Sequence, residues 1–151
     1  MNSYYFAYGS NMNPERMRTR GLAFDLAVPA TLAQAELLFN KRAADAPHRS
    51  YANIGFRQGS VVEGVAYRLL DEHQIVKMDP FEGAPRLYSR DIFTVHSSDG
   101  PINAWVYVAN KAMIQEDLKP ARWYLEHLLA GQEFLSEAYF QRLCQVECVA
   151  E

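Results

Sequence analysis

The sequence predicts an α+β fold whose strands curl into a barrel-like sheet. The expected order is a strand, a short helix, several strands with one helix inserted among them, and then helices to the C-terminus. The 151 residues are 49% hydrophobic and 22% charged, as is typical of a globular chain that can bury a core. No repeat, low-complexity tract or linker interrupts residues 1–151, so we expect a single domain.

The first strand and the first helix meet at a glycine. Residues 4–8 are rich in aromatic side chains and are followed by Gly9, which favours a strand that ends there. Asn13 can cap the next helix, and Pro14 suits its first position. Residues 27–42 mix apolar and polar positions after an early proline, which indicates either a pair of irregular strands or one long bent strand.

Four more strands are predicted where Val, Ile, Tyr and Phe are concentrated. They cover residues 51–57, 60–70, 86–97 and 102–110. Between the second and third of them, Asp71 can cap a helix that Pro80 should end or kink, so that Glu82 lies just past the helix. After Pro120, apolar spacings of three and four predict two amphipathic helices broken at Gly131.

Charge and composition exclude several classes of function. Fifteen basic and 18 acidic residues give a net charge of -3, and no run of Lys or Arg suits a nucleic-acid backbone. We expect no membrane span and no signal peptide, and hence a cytoplasmic protein. Cys144 and Cys148, one helical turn apart, are expected to be reduced helix residues, and the four scattered His lack ligand spacing. We therefore predict no metal site.

The string Tyr8-Gly9-Ser10-Asn11 forms the corner between the first strand and the first helix. Successive backbone amides at such a corner favour bound anions or substrate oxygens, because they lie next to the N-terminus of a helix. A plain tight turn capped by Asn11 is the commoner explanation for four residues with one glycine. The residues alone leave both interpretations open.

A second candidate is Glu82, within the string MDPFEGAPRLYSRD. An acid beside Phe81, in the connection that leads into a strand, would be partly desolvated, which would raise its pKa and suit it to proton abstraction near neutral pH. It is also explained as a surface glutamate in a loop. A third interpretation is a pair of carboxylates, Asp79 and Glu82, that share acid and base work, although three residues across a proline do not fix their geometry.

Taken together, five strings resemble the γ-glutamylcyclotransferase-like (AIG2-like) family in content and order. They are YFAYGSNMNPERM, GVAYRL, MDPFEGAPRLYSR, AWVYVAN and ARWYLEHLLAGQE…AYFQRL, and they span nearly the whole chain. The resemblance is specific because three features occur together. They are the YGSN corner, the acid of a Glu-Gly pair some seventy residues later, and a tyrosine six residues beyond that acid. The resemblance implies a mixed β-barrel with flanking helices and the release of 5-oxoproline from a γ-glutamyl compound by intramolecular cyclisation.

The resemblance also implies roles for individual residues. Glu82 would be the general base, the amides of Gly9, Ser10 and Asn11 would cradle substrate oxygens, and Tyr8 and Tyr88 would line the pocket.

The substrate implied is a γ-glutamyl amino acid or γ-glutamyl amine, with no cofactor. The YGSN string is more similar to the branch that acts on γ-glutamyl amino acids. Arg86 and Arg90 flank Tyr88 and could pair with a substrate carboxylate, but exposed loop arginines are as good an explanation, so we leave them outside the site. The alternative function is a non-catalytic module of the same fold that binds a small molecule. The sequence predicts no oligomeric state.

Overall fold

A closed five-stranded barrel dominates the computed structural model, which describes residues 3–150. The strands are β1 (Ser3–Ala7), β2 (Phe24–Arg42), β3 (Ser50–Leu69), β4 (Tyr88–Ser97) and β5 (Gly100–Ala109). Their order around the barrel is β1-β3-β2-β4-β5. Four neighbouring pairs are antiparallel, and the parallel contact of Tyr5 in β1 with Trp105 in β5 closes the ring. The prediction of a mixed barrel in an α+β fold is confirmed.

Short helices surround this barrel. They are α1 (Pro14–Thr19), α2 (His73–Glu82), α3 (Arg122–Leu129) and α4 (Glu137–Cys144), with 3-10 turns at Ser10–Met12, Lys111–Met113 and Gln132–Phe134. In the part of the chain that is described, no helix is long and apolar enough to cross a bilayer. The two closing helices were predicted, but Cys148 lies beyond α4 instead of within a helix, and both cysteines are free.

The prediction of four strands after residue 50 is wrong by one. Residues 51–57 and 60–70 belong mostly to one strand, β3, which pairs along its length with β2 in a long hairpin. Gly59 has a φ of 81°, and its amide donates to Oε1 of Gln34. Gln34 itself has a φ of 59° and lies at a register shift in β2. The glycine therefore bends the hairpin and does not end the strand.

The barrel is filled by inward-facing apolar side chains that alternate with outward-facing ones. Phe6, Val65 and Val106 have no exposed surface, and the same holds for Leu125 and Leu128 of α3, which cover one side of the barrel. In α4, the Ser136 side chain caps the helix and also donates to the Glu63 carboxylate of β3, 2.7 Å away. The helices thus pack onto the barrel through apolar faces and a few polar anchors.

Helix α2 does not stop at its proline. Pro80 lies inside the last turn, where it removes only one intrahelical hydrogen bond, and Glu82 is the last helical residue. Gly83 ends the helix in the left-handed conformation, with φ 65°, and the Ala84 amide closes back onto the Asp79 carbonyl at 3.0 Å. The glycine is therefore the stop signal, and it fixes the direction in which Glu82 leaves the helix.

We predict that Gly83→Ala destabilises the protein by about 2 to 4 kcal/mol. The positive φ strains any L side chain, and an added Cβ would lie 2.4 Å from Cδ1 and 3.1 Å from Cβ of Leu87. Gly21→Ala is the matched control, because Gly21 has a φ of 74° but no heavy atom within 4 Å of an added Cβ. Chemical denaturation should show a clearly larger loss of unfolding free energy for Gly83→Ala than for Gly21→Ala. Equal losses would mean that the Leu87 contact does not matter.

Candidate active site

One cavity of about 160 Å³ brings together every residue that the sequence analysis selected. Its walls include the corner residues Tyr8, Gly9, Ser10 and Asn11, together with Glu82 from the end of α2 and Tyr88 from the start of β4. The corner and Glu82 are 71 residues apart in sequence at their point of contact. The barrel brings them together because β1 lies between β3 and β5, whereas α2 connects β3 to β4.

The corner is built by a 3-10 turn that leads directly into α1. Its two backbone hydrogen bonds run from the Met12 amide to the Gly9 carbonyl and from the Asn13 amide to the Ser10 carbonyl. The opening amides of such a turn have no acceptor within it. The Asn13 side chain then caps α1 by accepting from the Glu15 amide at 3.1 Å. Asn13, and not Asn11, is thus the capping residue, which leaves the Asn11 side chain for the cavity.

Gly9 is required by close packing at this corner. A Cβ at this position would lie 3.0 Å from the Tyr124 hydroxyl oxygen and 3.3 Å from Cβ of Ala52. The same tyrosine hydroxyl accepts from the Ala52 amide at 3.0 Å, so it is held against the corner by β3. The chain can turn out of the sheet here because glycine leaves room for this contact.

The buried Asn11 side chain connects the corner to the candidate base. Its Oδ1 accepts from Nη1 of Arg20 at 3.2 Å, which orients Nδ2 toward Oε1 of Glu82 at 3.4 Å and the Tyr5 hydroxyl at 3.1 Å. Tyr67 donates to the Asn11 carbonyl at 2.6 Å and fixes its backbone. Asn11 is only 2% exposed, so these contacts replace water almost completely.

Desolvation raises the pKa of the Glu82 carboxyl group above its ordinary value. The positive charges of Arg20, Arg16 and Lys41 oppose this shift but do not cancel it, and the Asp79 carboxylate adds to it. Phe81, which we expected to desolvate the acid, is 49% exposed and lies under the Arg20 guanidinium, 4.9 Å from ring to Cζ. Tyrosines from the barrel and from α3 contribute instead to the wall that removes water from Glu82.

The interpretation of Asp79 and Glu82 as a shared pair of acids is not supported by their surroundings. Asp79 binds Arg90 through two hydrogen bonds of 2.8 and 3.0 Å and accepts from the Tyr107 hydroxyl at 2.6 Å. Burial raises the pKa of Asp79, but these donors outweigh it and hold the pKa below its usual value. Asp79 therefore forms a structural ion pair with Arg90, so Arg90 already has a carboxylate partner within the protein.

Six of the nine tyrosines of the chain line the cavity, and only two of them were predicted to do so. They are Tyr5, Tyr8, Tyr51, Tyr88, Tyr107 and Tyr124. The hydroxyls of Tyr8 and Tyr88 donate to backbone carbonyls at 2.6 and 2.7 Å, so these rings form rigid walls. The hydroxyls of Tyr5 and Tyr124 instead accept hydrogen bonds, from Asn11 and from the Ala52 amide. Each can still donate its own proton to a ligand.

Three cations on the cavity wall were missed by the sequence analysis. They are Arg16, Arg20 and Lys41. Arg16 and Arg20 are four residues apart, a spacing that places two side chains on one helical face directly after the corner, and this signal could have identified them. Arg16 also donates to the Ser10 hydroxyl at 3.0 Å. Within residues 3–150, no three His, Cys, Asp or Glu side chains come together in a way that could hold a metal ion.

Comparison with known proteins gives the same fold. A solved γ-glutamyl cyclotransferase superposes with a TM-score of 0.86 at 24% identity, over 100% of this chain and 91% of that one. An uncharacterized human protein gives 0.85 at 24% identity, over 99% and 90% of the two chains. A yeast γ-glutamyl cyclotransferase specific to glutathione gives 0.66 at 13% identity, over 94% and 93%. No curated protein sequence matches the chain significantly.

The family assignment comes from the sequence itself. The model of the family described as "Gamma-glutamyl cyclotransferase, AIG2-like" matches residues 5–126, which include all of the corner, α2 and the cavity residues from β2 to α3. The chain belongs to the γ-glutamyl cyclotransferase, AIG2-like family.

Proposed function

We propose that the protein is a γ-glutamyl cyclotransferase that releases 5-oxoproline from γ-glutamyl amino acids or γ-glutamyl amines. The observation that carries the proposal is the position of the Glu82 carboxyl group, in one cavity with the corner Tyr8-Gly9-Ser10-Asn11 and within 3.4 Å of the Asn11 amide nitrogen. A base and a set of hydrogen-bond donors thus face the same small space. Membership of the family supports the reaction type.

The reaction needs no nucleophilic side chain and no cofactor. Glu82 takes one proton from the substrate α-ammonium and passes it to solvent. The amine nitrogen then attacks the γ-carbonyl carbon of the same molecule, and as the new C–N bond forms, Glu82 takes a second proton from the attacking nitrogen. The resulting oxyanion collapses, the original amide C–N bond breaks, and the proton returns from Glu82 to the leaving nitrogen. The task of the protein is to hold a flexible chain folded back on itself, which is worth several kcal/mol of the barrier.

The raised pKa of Glu82 suits this role. An ordinary Glu has a pKa of about 4.3 and an α-amine one of about 8, a mismatch that makes the proton transfer unfavourable by about 5 kcal/mol. Desolvation, the main cause of the upward shift, reduces this mismatch. The carboxyl group therefore becomes a stronger base without losing its contact with Asn11.

The oxyanion of the tetrahedral intermediate requires donors. We assign this role to the amides of Gly9, Ser10 and Asn11, whose turn leaves its opening N–H groups without an internal acceptor. Tyr8 and Tyr88 shape the wall and keep water out. The hydroxyls of Tyr5 and Tyr124 are additional donors in reach of the same cavity. We also expect the protein to act in the cytoplasm.

The main alternative is a non-catalytic module that binds a small molecule in the same cavity. A binder has no use for a desolvated base beside its ligand, and such a group costs folding free energy. A hydrolase using the same residues would release free glutamate instead of 5-oxoproline. Incubating the protein with γ-glutamyl amino acids, γ-glutamyl-ε-lysine and glutathione and assaying both products separates the three functions.

We predict that Glu82→Gln lowers kcat at least 100-fold, because glutamine is nearly isosteric but cannot accept the proton. The measurement is the rate of 5-oxoproline formation at saturating substrate. Glu72→Gln is the matched control, since Glu72 is an exposed carboxylate next to the first turn of the same helix. Normal turnover in Glu82→Gln would remove this residue from the mechanism.

The same variant should be at least as stable as the wild type at neutral pH. The folded protein raises the pKa of Glu82, so ionisation of this group opposes folding as the pH rises above about 4.3 and through the folded pKa. Glutamine resembles the protonated form and avoids that loss. Thermal melts should show that any increase in the melting temperature of Glu82→Gln over the wild type is present at pH 7 and disappears at pH 4. A lower melting temperature at pH 7 would contradict this account.

We predict that kcat/KM falls in acid with an apparent pKa above that of an ordinary glutamate. The base must be deprotonated to act, and its pKa is raised by desolvation, so activity is lost as the pH falls through that raised value. A pH profile of kcat/KM between pH 4 and pH 8 measures it. An apparent pKa of about 4.3 or lower would show that the base keeps an unshifted pKa or is another group.

A further inference from the structure

Lys41 is a buried cation for which the described fold provides no direct partner. The residue is 2% exposed and lies in β2, and it lines the cavity. Among residues 3–150, its ammonium group has neither a hydrogen bond nor an ion pair. Its Nζ lies over the rings of Tyr51 and Tyr88, 5.3 and 5.6 Å from their centroids.

An arrangement of this kind destabilises a protein unless an anion completes it. Burial disfavours the charged ammonium and lowers the pKa of Lys41, while the negative charges of Glu82 and Asp45 act on it only through space. Two aromatic faces stabilise a cation modestly and leave its three N–H donors unused. The empty space that these donors can reach is the cavity itself.

The other two cations lie on a different element, in and directly after α1. Arg20 is joined to Glu82 through the Asn11 side chain, by contacts of 3.2 and 3.4 Å, and Arg16 binds Ser10 of the corner. Both arginines act on the Glu82 carboxyl group more strongly than Lys41 does. The cavity thus has an arginine side next to the base and a lysine side on β2.

The covalent structure of the substrate decides which carboxylate meets which side. Under the proposed function, the α-amine of the glutamyl group must face Glu82, and the glutamyl carboxylate is bonded to the same carbon. That carboxylate therefore belongs with the arginines beside Glu82. An anion at Lys41 must come from the other end of the molecule, across the scissile amide bond.

We propose that Lys41 binds the carboxylate of the leaving amino acid and so makes the protein select γ-glutamyl amino acids over γ-glutamyl amines that lack this group. The proposal rests on the proposed cyclotransferase function. It assigns a specificity-determining role to a residue that touches the leaving group and not the reacting atoms. The two carboxylates of a γ-glutamyl amino acid then match the two cationic sides of the cavity.

The test uses two substrates that differ only in the leaving-group carboxylate, γ-glutamyl-L-alanine and γ-glutamylethylamide. Lys41→Met should lower kcat/KM for γ-glutamyl-L-alanine about 10- to 100-fold, mainly through a higher KM. For γ-glutamylethylamide it should change kcat/KM by less than about threefold, since no charged hydrogen bond is lost. Lys111→Met, which removes an exposed lysine outside the cavity lining, should change neither value.

A loss of the same size with both substrates would overturn the proposal, because Lys41 would then serve the glutamyl end or the chemical step. No loss with either substrate would overturn it as well. Misfolding is checked by a melt, in which Lys41→Met should be no less stable than the wild type, since it removes a buried charge.

Binding without turnover separates this proposal from the function on which it rests. Calorimetry in the Glu82→Gln background should show tighter binding of γ-glutamyl-L-alanine than of γ-glutamylethylamide, and Lys41→Met should abolish that difference. If the wild type made no 5-oxoproline from either compound, the cyclotransferase proposal would fail, but the same preference in binding would still support the role of Lys41. Equal binding of the two compounds, or binding of neither, would overturn it.

Discussion

The contact between the Asn11 side chain and the Glu82 carboxyl group holds the candidate site together. It joins the corner after β1 to the end of α2, two segments that share no strand pairing. The Asn11 amide is oriented by Arg20 on one side and by the Tyr5 hydroxyl on the other, and its carbonyl accepts from Tyr67. Every one of these partners is fixed by the barrel or by α1, so the direction of the Glu82 carboxyl group depends on the whole fold and not on α2 alone.

The charges of the candidate site are electrostatically unfavourable together, and the surrounding tyrosines reduce this effect. A desolvated acid, two arginines and a buried lysine share one small cavity, where isolated charges are unfavourable. Tyrosine rings separate them and supply both apolar contact and hydroxyl dipoles. Four hydroxyls in or beside the cavity donate to fixed acceptors in the protein, namely those of Tyr8, Tyr67, Tyr88 and Tyr107. The walls are therefore rigid, so the charged groups of the cavity cannot relax toward each other.

The sequence predicts the parts of the site that depend on short strings. Gly9 and the residues around it form a corner because a strand pattern stops at a glycine and a helix cap follows within four residues. The string around Glu82 specifies the acid, but Pro80 suggested an early end to α2. The proline is accommodated because it falls in the last turn and Gly83 provides the cap. The interpretation of Pro80 as the end of the helix gave too much weight to the loss of one hydrogen bond and too little to Gly83 as a helix stop.

Lys41 could not be placed from the sequence, for a reason that concerns strand register. Side chains alternate between the two faces of a strand, so a slip of one residue moves a side chain from the cavity to the outside. The register of β2 against β3 shifts between Leu38 and Lys41, directly before this residue, and again near Gln34. No local pattern encodes those irregularities. They depend on how the long hairpin bends to close the barrel, which places Lys41 inward.

The positive charges of the cavity also affect how strong a base Glu82 can be. In the free protein, Arg20, Arg16 and Lys41 all lower the pKa that desolvation raises. When a substrate with two carboxylates binds as proposed, those anions neutralise much of the cationic field, and the pKa of Glu82 rises further. The positive charge of the substrate ammonium opposes this rise in the pKa of Glu82, but only until the ammonium gives up its proton. The base would thus be strongest when a correctly charged substrate is in place, and a ligand lacking one carboxylate would leave Lys41 uncompensated and the base weaker.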